Sequence, residues 1–537
     1  MSATTFDYLD YPFPSRRTVN MAKNGMVATS QPLAAQAGLS LLREGGNAID
    51  AAVGTAAALT VLEPTSNGIG SDAFAIVWQQ GEMAGLNSSG PAPSSISISK
   101  LTEDGYEEMP RYGWPPVTVP GAPAAWAALS ERYGRLPFER VLRPAITYAR
   151  EGYPISPVLG ASWRRAYSNY KEELTEKQFE NWFATFAPQD RPPRIGEVWS
   201  SLDHSNTLEK IAESEAESFY RGELAELISD FSRANDGYLR ESDLASFAPE
   251  WVDPLKVDYR GHQVWELPPN GQGLIALIAL NILKGFDFPC RERVETFHKQ
   301  IEALKLAFSD GKEYITDPQK MQLSPELLLD PAYAESRRDL IQNEALIPSP
   351  GKPPQGGTVY LAAADGDGNM VSYIQSNYMG FGSGLVVPET GIALQNRGNT
   401  FSLDPSKANR LEPSKRPYHT IIPGFLTRQG KPVGPFGVMG GFMQPQGHLQ
   451  VLMNMLDFDL NPQAALDAPR WCWLEDKEVL VEDSFPRHLA KSLQRKGHRI
   501  DWAWNRNIFG RGQIILREGE TLIGGTEPRT DSSIAAF

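Results

Sequence analysis

The stretch GGTVYLAAADGDGNMVSYIQS, residues 356–376, decides the fold. Residues 358–364 and 370–376 each read as a strand, and the five residues between them, Asp365-Gly366-Asp367-Gly368-Asn369, have the composition of a hairpin turn. Asp365, Asp367 and Asn369 are also spaced like the start of an EF-hand loop. Met370, however, stands where that loop needs glycine and Ser376 where it needs glutamate, so a turn is expected and no metal. Just upstream, residues 340–357 crowd Pro348, Pro350, Gly351, Pro353, Pro354, Gly356 and Gly357 together without a periodic apolar face, which predicts a mobile loop or linker.

Working outward, residues 25–29 read as a strand, and residues 32–44 have helical periodicity that ends at Gly45-Gly46. Residues 48–62 are apolar on every face and stop before Pro64, which predicts a helix in the interior. Gly68-Ile69-Gly70-Ser71-Asp72 then leads into a strand at 73–78, with a spacing that fits neither phosphate-loop pattern. Amphipathic helical patterns cover 123–153, 205–230 and 295–314, while 257–267 alternates as a strand and ends in the turn signal Pro268-Pro269-Asn270-Gly271.

Composition narrows the function. The 537 residues carry 51 Lys plus Arg against 65 Asp plus Glu, a net charge of −14, with 41% hydrophobic residues. A soluble globular protein is expected, and the acidic balance without a basic run argues against nucleic acid. The first thirty residues hold no uninterrupted apolar core of signal-peptide type, and the most apolar stretch, 48–62, is too short to span a bilayer and carries Asp50. Cys290 and Cys472 are the only cysteines and form no metal-ligand spacing, so a reducing cytoplasm and no metal or cofactor are expected.

On spacing alone, Gly356-Gly357-Thr358 after a Pro-rich loop is a strand entry. The company it keeps changes that reading: Gly45-Gly46-Asn47-Ala48-Ile49-Asp50-Ala51-Ala52, Glu63-Pro64, Gly68-Ile69-Gly70, Val119-Pro120-Gly121, Pro268-Pro269-Asn270, Phe381-Gly382-Ser383-Gly384, Lys415-Arg416-Pro417 and Gly440-Gly441. With these motifs the chain resembles the γ-glutamyltransferase family of N-terminal-nucleophile hydrolases from near Gly25 to near the C-terminus. The resemblance implies an α+β, four-layer αββα sandwich made as a precursor that cuts itself at Gly357–Thr358. The products would be a helix-rich fragment 1–357 and a fragment 358–537, intertwined as one heterodimeric unit that can dimerise further.

The chemistry explains the cut. A threonine hydroxyl is a poor nucleophile without a base, and cleavage frees an α-amine on the same residue, which titrates near ~7.7–8.0 in model peptides. The resemblance makes Thr358 nucleophile and base, Gly440 and Gly441 the backbone donors to the oxyanion, and Ser376 the hydroxyl that hydrogen-bonds the nucleophile. It requires no histidine, so His448 reads as a structural residue at a helix start.

The substrate shell departs from the glutathione-cleaving pattern. Asn87 replaces the arginine that holds the substrate's α-carboxylate, and an ungapped count puts Thr400 where an acidic residue holds the α-amine. The same count puts Arg397 at a glutamine position, Tyr378 at an asparagine position and His419-Thr420 at a serine pair; Asn396 beside Arg397 completes the expected substrate-binding set. Such a pocket favours a carboxylate without an amine. The subgroup lacking the usual arginine includes oxamate amidohydrolases, and oxamate, giving oxalate and ammonia, is the expected substrate. Alternatives are γ-glutamyl hydrolysis or transfer on glutathione, an acylase for bulky amides lined by the many tryptophans, and an uncut binding protein. Arg111 rivals Arg397 as the anion binder, and a bridge to Glu389 is the plain structural reading of Arg397.

Overall fold

The computed structural model describes residues 12–13, 17–348 and 357–537, so residues 349–356 of the expected linker lie outside the described residues. Its centre is the expected hairpin, Gly357–Asp365 paired antiparallel with Met370–Tyr378. The turn is held by Asp365, whose carboxylate accepts the Asn369 N–H at 3.0 Å and the Ala48 N–H at 2.9 Å, while Asp367 pairs with Arg135 at 2.7 Å. The segment is a turn, as the sequence reading held, and Asp365 in addition caps the helix that begins at Ala48.

Around the hairpin a seven-stranded sheet runs in the order Ser533–Ala536, Gly25–Thr29, Gly357–Asp365, Met370–Tyr378, Asp72–Gln79, Glu82–Ser88, Glu250–Val252. A second seven-stranded sheet runs Asn20–Ala22, Thr521–Thr526, Arg511–Glu518, Lys431–Met439, Gly424–Arg428, His262–Glu266, Leu255–Tyr259. Alternation along one strand shows why two sheets stack. Val359, Leu361 and Ala363 face one apolar layer with the Ala48–Leu62 helix, and Tyr360, Ala362 and Ala364 face another with Phe425, Met439 and Ile515 of the second sheet. Gly437 permits this approach, since a Cβ there would meet the Tyr360 ring at 2.4 Å.

Helices cover both outer faces, which gives the four-layer αββα sandwich. The Ala48–Leu62 helix, buried at every residue, is capped reciprocally by Asn47 and Asp50. On the opposite face Gly273–Leu283, Val294–Tyr314 and Met443–Leu456 pack on the second sheet with a core of Leu277, Leu304 and Leu452. Each sheet combines strands from both sides of Thr358.

Three expectations are corrected. Residues 257–267 form not one strand but a hairpin, Leu255–Tyr259 and His262–Glu266, because Arg260 and Gly261 take φ 48 and 77 and reverse the chain. The 123–153 pattern breaks into Ala122–Tyr133 and Phe138–Glu151 at Gly134 and Pro137. The 205–230 pattern breaks into Leu202–Glu213, Glu217–Arg221 and Glu223–Ala234, with Ala216 left-handed at φ 69. In each case a few backbone angles ended a periodicity that continues across the break.

Candidate active site

Thr358 is the second residue of the Gly357–Asp365 strand, at a bulge where the pairing with Met370–Tyr378 shifts register. Its side chain is fully buried, and Oγ1 lies 3.1 Å from Ser376 Oγ on the neighbouring strand. Ser376 Oγ also accepts the Tyr378 N–H at 2.8 Å. On the other side Gln444 Nε2 approaches Thr358 Oγ1 at 3.5 Å, its own carboxamide oxygen held by the Ile422 N–H at 2.9 Å.

Gln444 belongs to the first turn of Met443–Leu456, and the turn feeding that helix is Gly440-Gly441. Their φ values of 133 and 61 are strained for any residue with a Cβ, so glycine is required here. Their carbonyls are occupied, Gly440 by Met443 N–H and Gly441 by Gln272 Nε2, while neither N–H bonds a described residue. Two backbone donors in the turn that feeds the helix carrying Gln444 thus bond no described residue, and such donors are what a developing oxyanion needs.

Arg397 is wholly buried. One terminal nitrogen donates to Thr420 Oγ1 at 2.6 Å, and the guanidinium lies 4.3 Å from the centroid of the Tyr378 ring. Its Nε and other terminal nitrogen, like the Tyr378 hydroxyl, find no partner among the described residues. The expected bridge to Glu389 is absent from the described contacts, and Glu389 is exposed. Burial lowers the guanidinium to about 10, which leaves it charged at neutral pH. Asp72, also buried, is pushed up to about 7 by burial, against which the charge of Arg397 acts.

Four of the expected substrate contacts carry hydrogen bonds within the protein. Asn87 Nδ2 donates to Asn270 Oδ1 at 2.9 Å while its carbonyl takes the Ser89 N–H and hydroxyl. Asn396 accepts the Met379 N–H at 3.1 Å and donates to the Arg111 carbonyl at 2.9 Å. His419 Nδ1 accepts the Ile421 N–H, so Nε2 carries the proton and donates to Asp72 at 2.9 Å; burial, with Arg397 nearby, holds the ring well below its ordinary pKa and neutral. Thr420 spends its hydroxyl oxygen on Arg397. Thr400 donates to the backbone carbonyls of Arg397 and Tyr418.

His448 is buried inside Met443–Leu456 with Nδ1 2.7 Å from Glu266, which bears out a structural role. Trp163 and Trp182 pack with Phe186 and Phe381 as core. His298, Glu302 and His498 bring ligand atoms within 4.8 Å of one another, but Lys305 Nζ sits 2.7 Å from Glu302 and occupies the place of a cation.

Sequence reasoning missed Gln444, Asp72 and a cleft of about 220 Å³ lined by Arg111, Arg165, Asn169, Tyr170, Gly440 and Arg511. An aspartate at the entry to an otherwise apolar strand was the available signal for Asp72; nothing local marks Gln444 or Arg165.

The gamma-glutamyltranspeptidase family model matches residues 34–537. The chain is 36% identical over 524 residues to a glutathione hydrolase-like proenzyme of Bacillus subtilis, covering 95% of this chain and 97% of that one. It is 32% identical over 532 residues to the oxamate amidohydrolase proenzyme of Klebsiella pneumoniae, covering 96% and 99%. The crystal structure of cephalosporin acylase from Bacillus halodurans superposes with a TM-score of 0.96 at 61% identity, covering 99% of both chains.

Proposed function

Since the chain belongs to the gamma-glutamyltranspeptidase family, whose members are autoprocessed enzymes acting on amide bonds, we propose that it is an N-terminal-threonine amidohydrolase for amides whose acyl group carries a carboxylate and no α-amine. The observation that carries this reading is Arg397: buried, charged, and with its Nε and one terminal nitrogen bonded to no described partner. Asp72, pushed up to about 7, is only partly ionised at neutral pH, so a charge sealed from water at this cost favours an anionic ligand that completes it.

In the precursor, Thr358 Oγ attacks the Gly357 carbonyl, the peptide nitrogen leaves as the α-amine, and water hydrolyses the resulting ester. The freed α-amine then takes the Thr358 hydroxyl proton as Oγ adds to the substrate's amide carbon. Ser376 orients Oγ, and the N–H groups of Gly440 and Gly441 stabilise the oxyanion, each worth on the order of 3 kcal/mol. The proton passes to the leaving nitrogen as the C–N bond breaks, and water releases the acid from the acyl-enzyme. The cut would leave fragments 1–357 and 358–537 as an intertwined heterodimer, in a cytoplasmic setting that cell fractionation tests.

Oxamate is the smallest amide of this class and remains the first substrate to assay. A second reading, an acylase for larger carboxylate-bearing amides, is supported by the arginine-lined cleft beside Gly440 and by the likeness to a cephalosporin acylase.

One pair of probes tests the shared premise. Glutaryl-p-nitroanilide and γ-glutamyl-p-nitroanilide differ only by the α-amine. The reading expects the glutaryl compound to be cleaved at least ~10-fold faster, the worth of one uncompensated charge contact. Equal rates, or preference for the γ-glutamyl compound, would return the protein to glutathione chemistry; ammonia release from oxamate then separates the two readings above.

A further inference from the structure

We propose that Gln444 is a further catalytic residue: its side-chain amide donates to Thr358 Oγ1 when that oxygen is the leaving group, in hydrolysis of the acyl-enzyme and of the ester formed during self-cleavage. This rests on the reading of Thr358 as the nucleophile.

Direction comes first. Gln444 Nε2 lies 3.5 Å from Thr358 Oγ1, and its carboxamide oxygen accepts the Ile422 N–H at 2.9 Å. The second contact fixes the first, because a flipped amide would set one N–H against another. Gln444 therefore only donates to Thr358. A carboxamide takes up no proton at neutral pH, so Gln444 is not a base for the hydroxyl. Ser376 Oγ, 3.1 Å from Oγ1, can both accept and donate, which divides the work between the two neighbours.

Charge comes second. A donor stabilises an oxygen that gains negative charge and offers least to one that loses it. Oγ1 loses charge as it adds to an amide carbon, and gains it when an ester at that oxygen is hydrolysed. There, water adds to the carbonyl carbon and passes a proton to the α-amine. The C–Oγ1 bond then breaks, its electron pair stays on Oγ1, and the α-ammonium returns the proton to that oxygen. Gln444 donates to Oγ1 as the charge appears and transfers no proton itself. Both residues are fully buried, where a hydrogen bond to a charged oxygen is strengthened by the low dielectric. The 3.5 Å of the resting site is long for an N–H to oxygen contact, and catalytic hydrogen bonds of this kind tighten once the reacting group is in place.

Support comes third. Gln444 lies in the first turn of the helix fed by Gly440-Gly441. Gln272 ties that turn to the segment holding the Gln444 oxygen: its Nε2 donates to the carbonyls of Gly441 at 2.8 Å and Thr420 at 2.6 Å, and its Oε1 accepts the Tyr418 hydroxyl at 2.9 Å. The turn and residues 418–422 are thereby held in one frame, which leaves the Gln444 amide little freedom to rotate away from Thr358.

The test reads the two halves of the reaction separately. Gln444→Met removes the donor at similar volume, and Gln444→Glu removes it while keeping an acceptor for the Ile422 N–H. With glutaryl-p-nitroanilide, the glutaryl adduct on the 358–537 fragment, followed in quenched samples by mass spectrometry, is expected to decay about 10-fold or more slowly in each variant, while kcat/KM, which reports acylation, stays within threefold. Without substrate, self-cleavage is expected to stall at the ester, as a precursor that hydroxylamine splits at Gly357–Thr358. Adduct decay at the wild-type rate overturns the proposal, and so does a loss in kcat/KM as large as the slowing, which marks a contact that only positions the nucleophile for attack. Melting shows whether each variant is folded, and where one is not, the other decides. If no glutaryl amide is turned over, the acyl-carboxylate reading has failed; the hydroxylamine experiment contains no substrate and still decides, a precursor insensitive to hydroxylamine overturning the role of Gln444.

Discussion

Arg397 and Arg111 were rivals for one role, and the structure sets them in opposite environments. Arg397 is sealed from water, with one hydrogen bond to Thr420, the face of Tyr378 beside it and the carboxyl of Asp72 within electrostatic reach. Arg111 and Arg165 are exposed on the rim of a cleft. The difference teaches that two guanidinium sites in one chain differ in kind. A buried charge is unscreened and strongly discriminating, whereas exposed charges attract broadly, weakly and in a salt-dependent way.

The largest expected effect removes the nucleophile itself. Thr358→Ala should leave a single full-length band on a denaturing gel and lower amide hydrolysis by about 10⁴-fold or more. A normally cut or active variant would place the nucleophile elsewhere.

Next, Arg397→Gln should lower kcat/KM for glutaryl-p-nitroanilide by about 100-fold, because a buried charged contact is worth about 2–5 kcal/mol. Melting of the variant separates lost binding from lost folding, and a loss under threefold would move the acyl carboxylate to the cleft.

The pH dependence sharpens the contrast further. Asp72 titrates at about 7. Below that pH its carboxyl is protonated and the charge of Arg397 is free for substrate; above it the carboxylate competes. KM for a glutaryl amide should therefore rise by several fold between pH 6 and 8, and Asp72→Asn should flatten the profile. The stability sign is checked the same way. The folded pKa lies above the ordinary 3.8, so the contribution of Asp72 is fully present below that value and is lost as pH rises through about 7. A wild-type KM independent of pH would remove Asp72 from the site.

The smallest effect concerns salt. Raising ionic strength from about 0.05 to 0.5 M should leave the preference for glutaryl over γ-glutamyl amides unchanged within experimental error. A preference that falls with salt would mean that Arg397 is reached by solvent in the working enzyme.

Much of the fold was legible. The hairpin around Asp365, the interior helix Ala48–Leu62 and the helix Val294–Tyr314 all stand where local pattern placed them. The failures at 260–261, at Gly134 and at Ala216 share one cause: side-chain periodicity continued while backbone angles turned the chain. The site was legible to the same degree. Thr358 and the Gly440-Gly441 pair could be named from their motifs. Only the tertiary neighbours show that Asn87, Asn396 and His419 hydrogen-bond Asn270, Arg111 and Asp72.

The sequence by itself determined the strand that bears Thr358 and the glycines that tolerate the turn at 440–441. These rest on backbone conformation and side-chain chemistry, which are local. Only the tertiary structure decided that Gln444 faces Thr358, that Asp72 shares a site with Arg397, and that Arg165 opens onto the cleft with Arg111. Those groups lie tens to hundreds of residues apart, and it is the register of the sheets and the stacking of the layers that bring them within reach of one another.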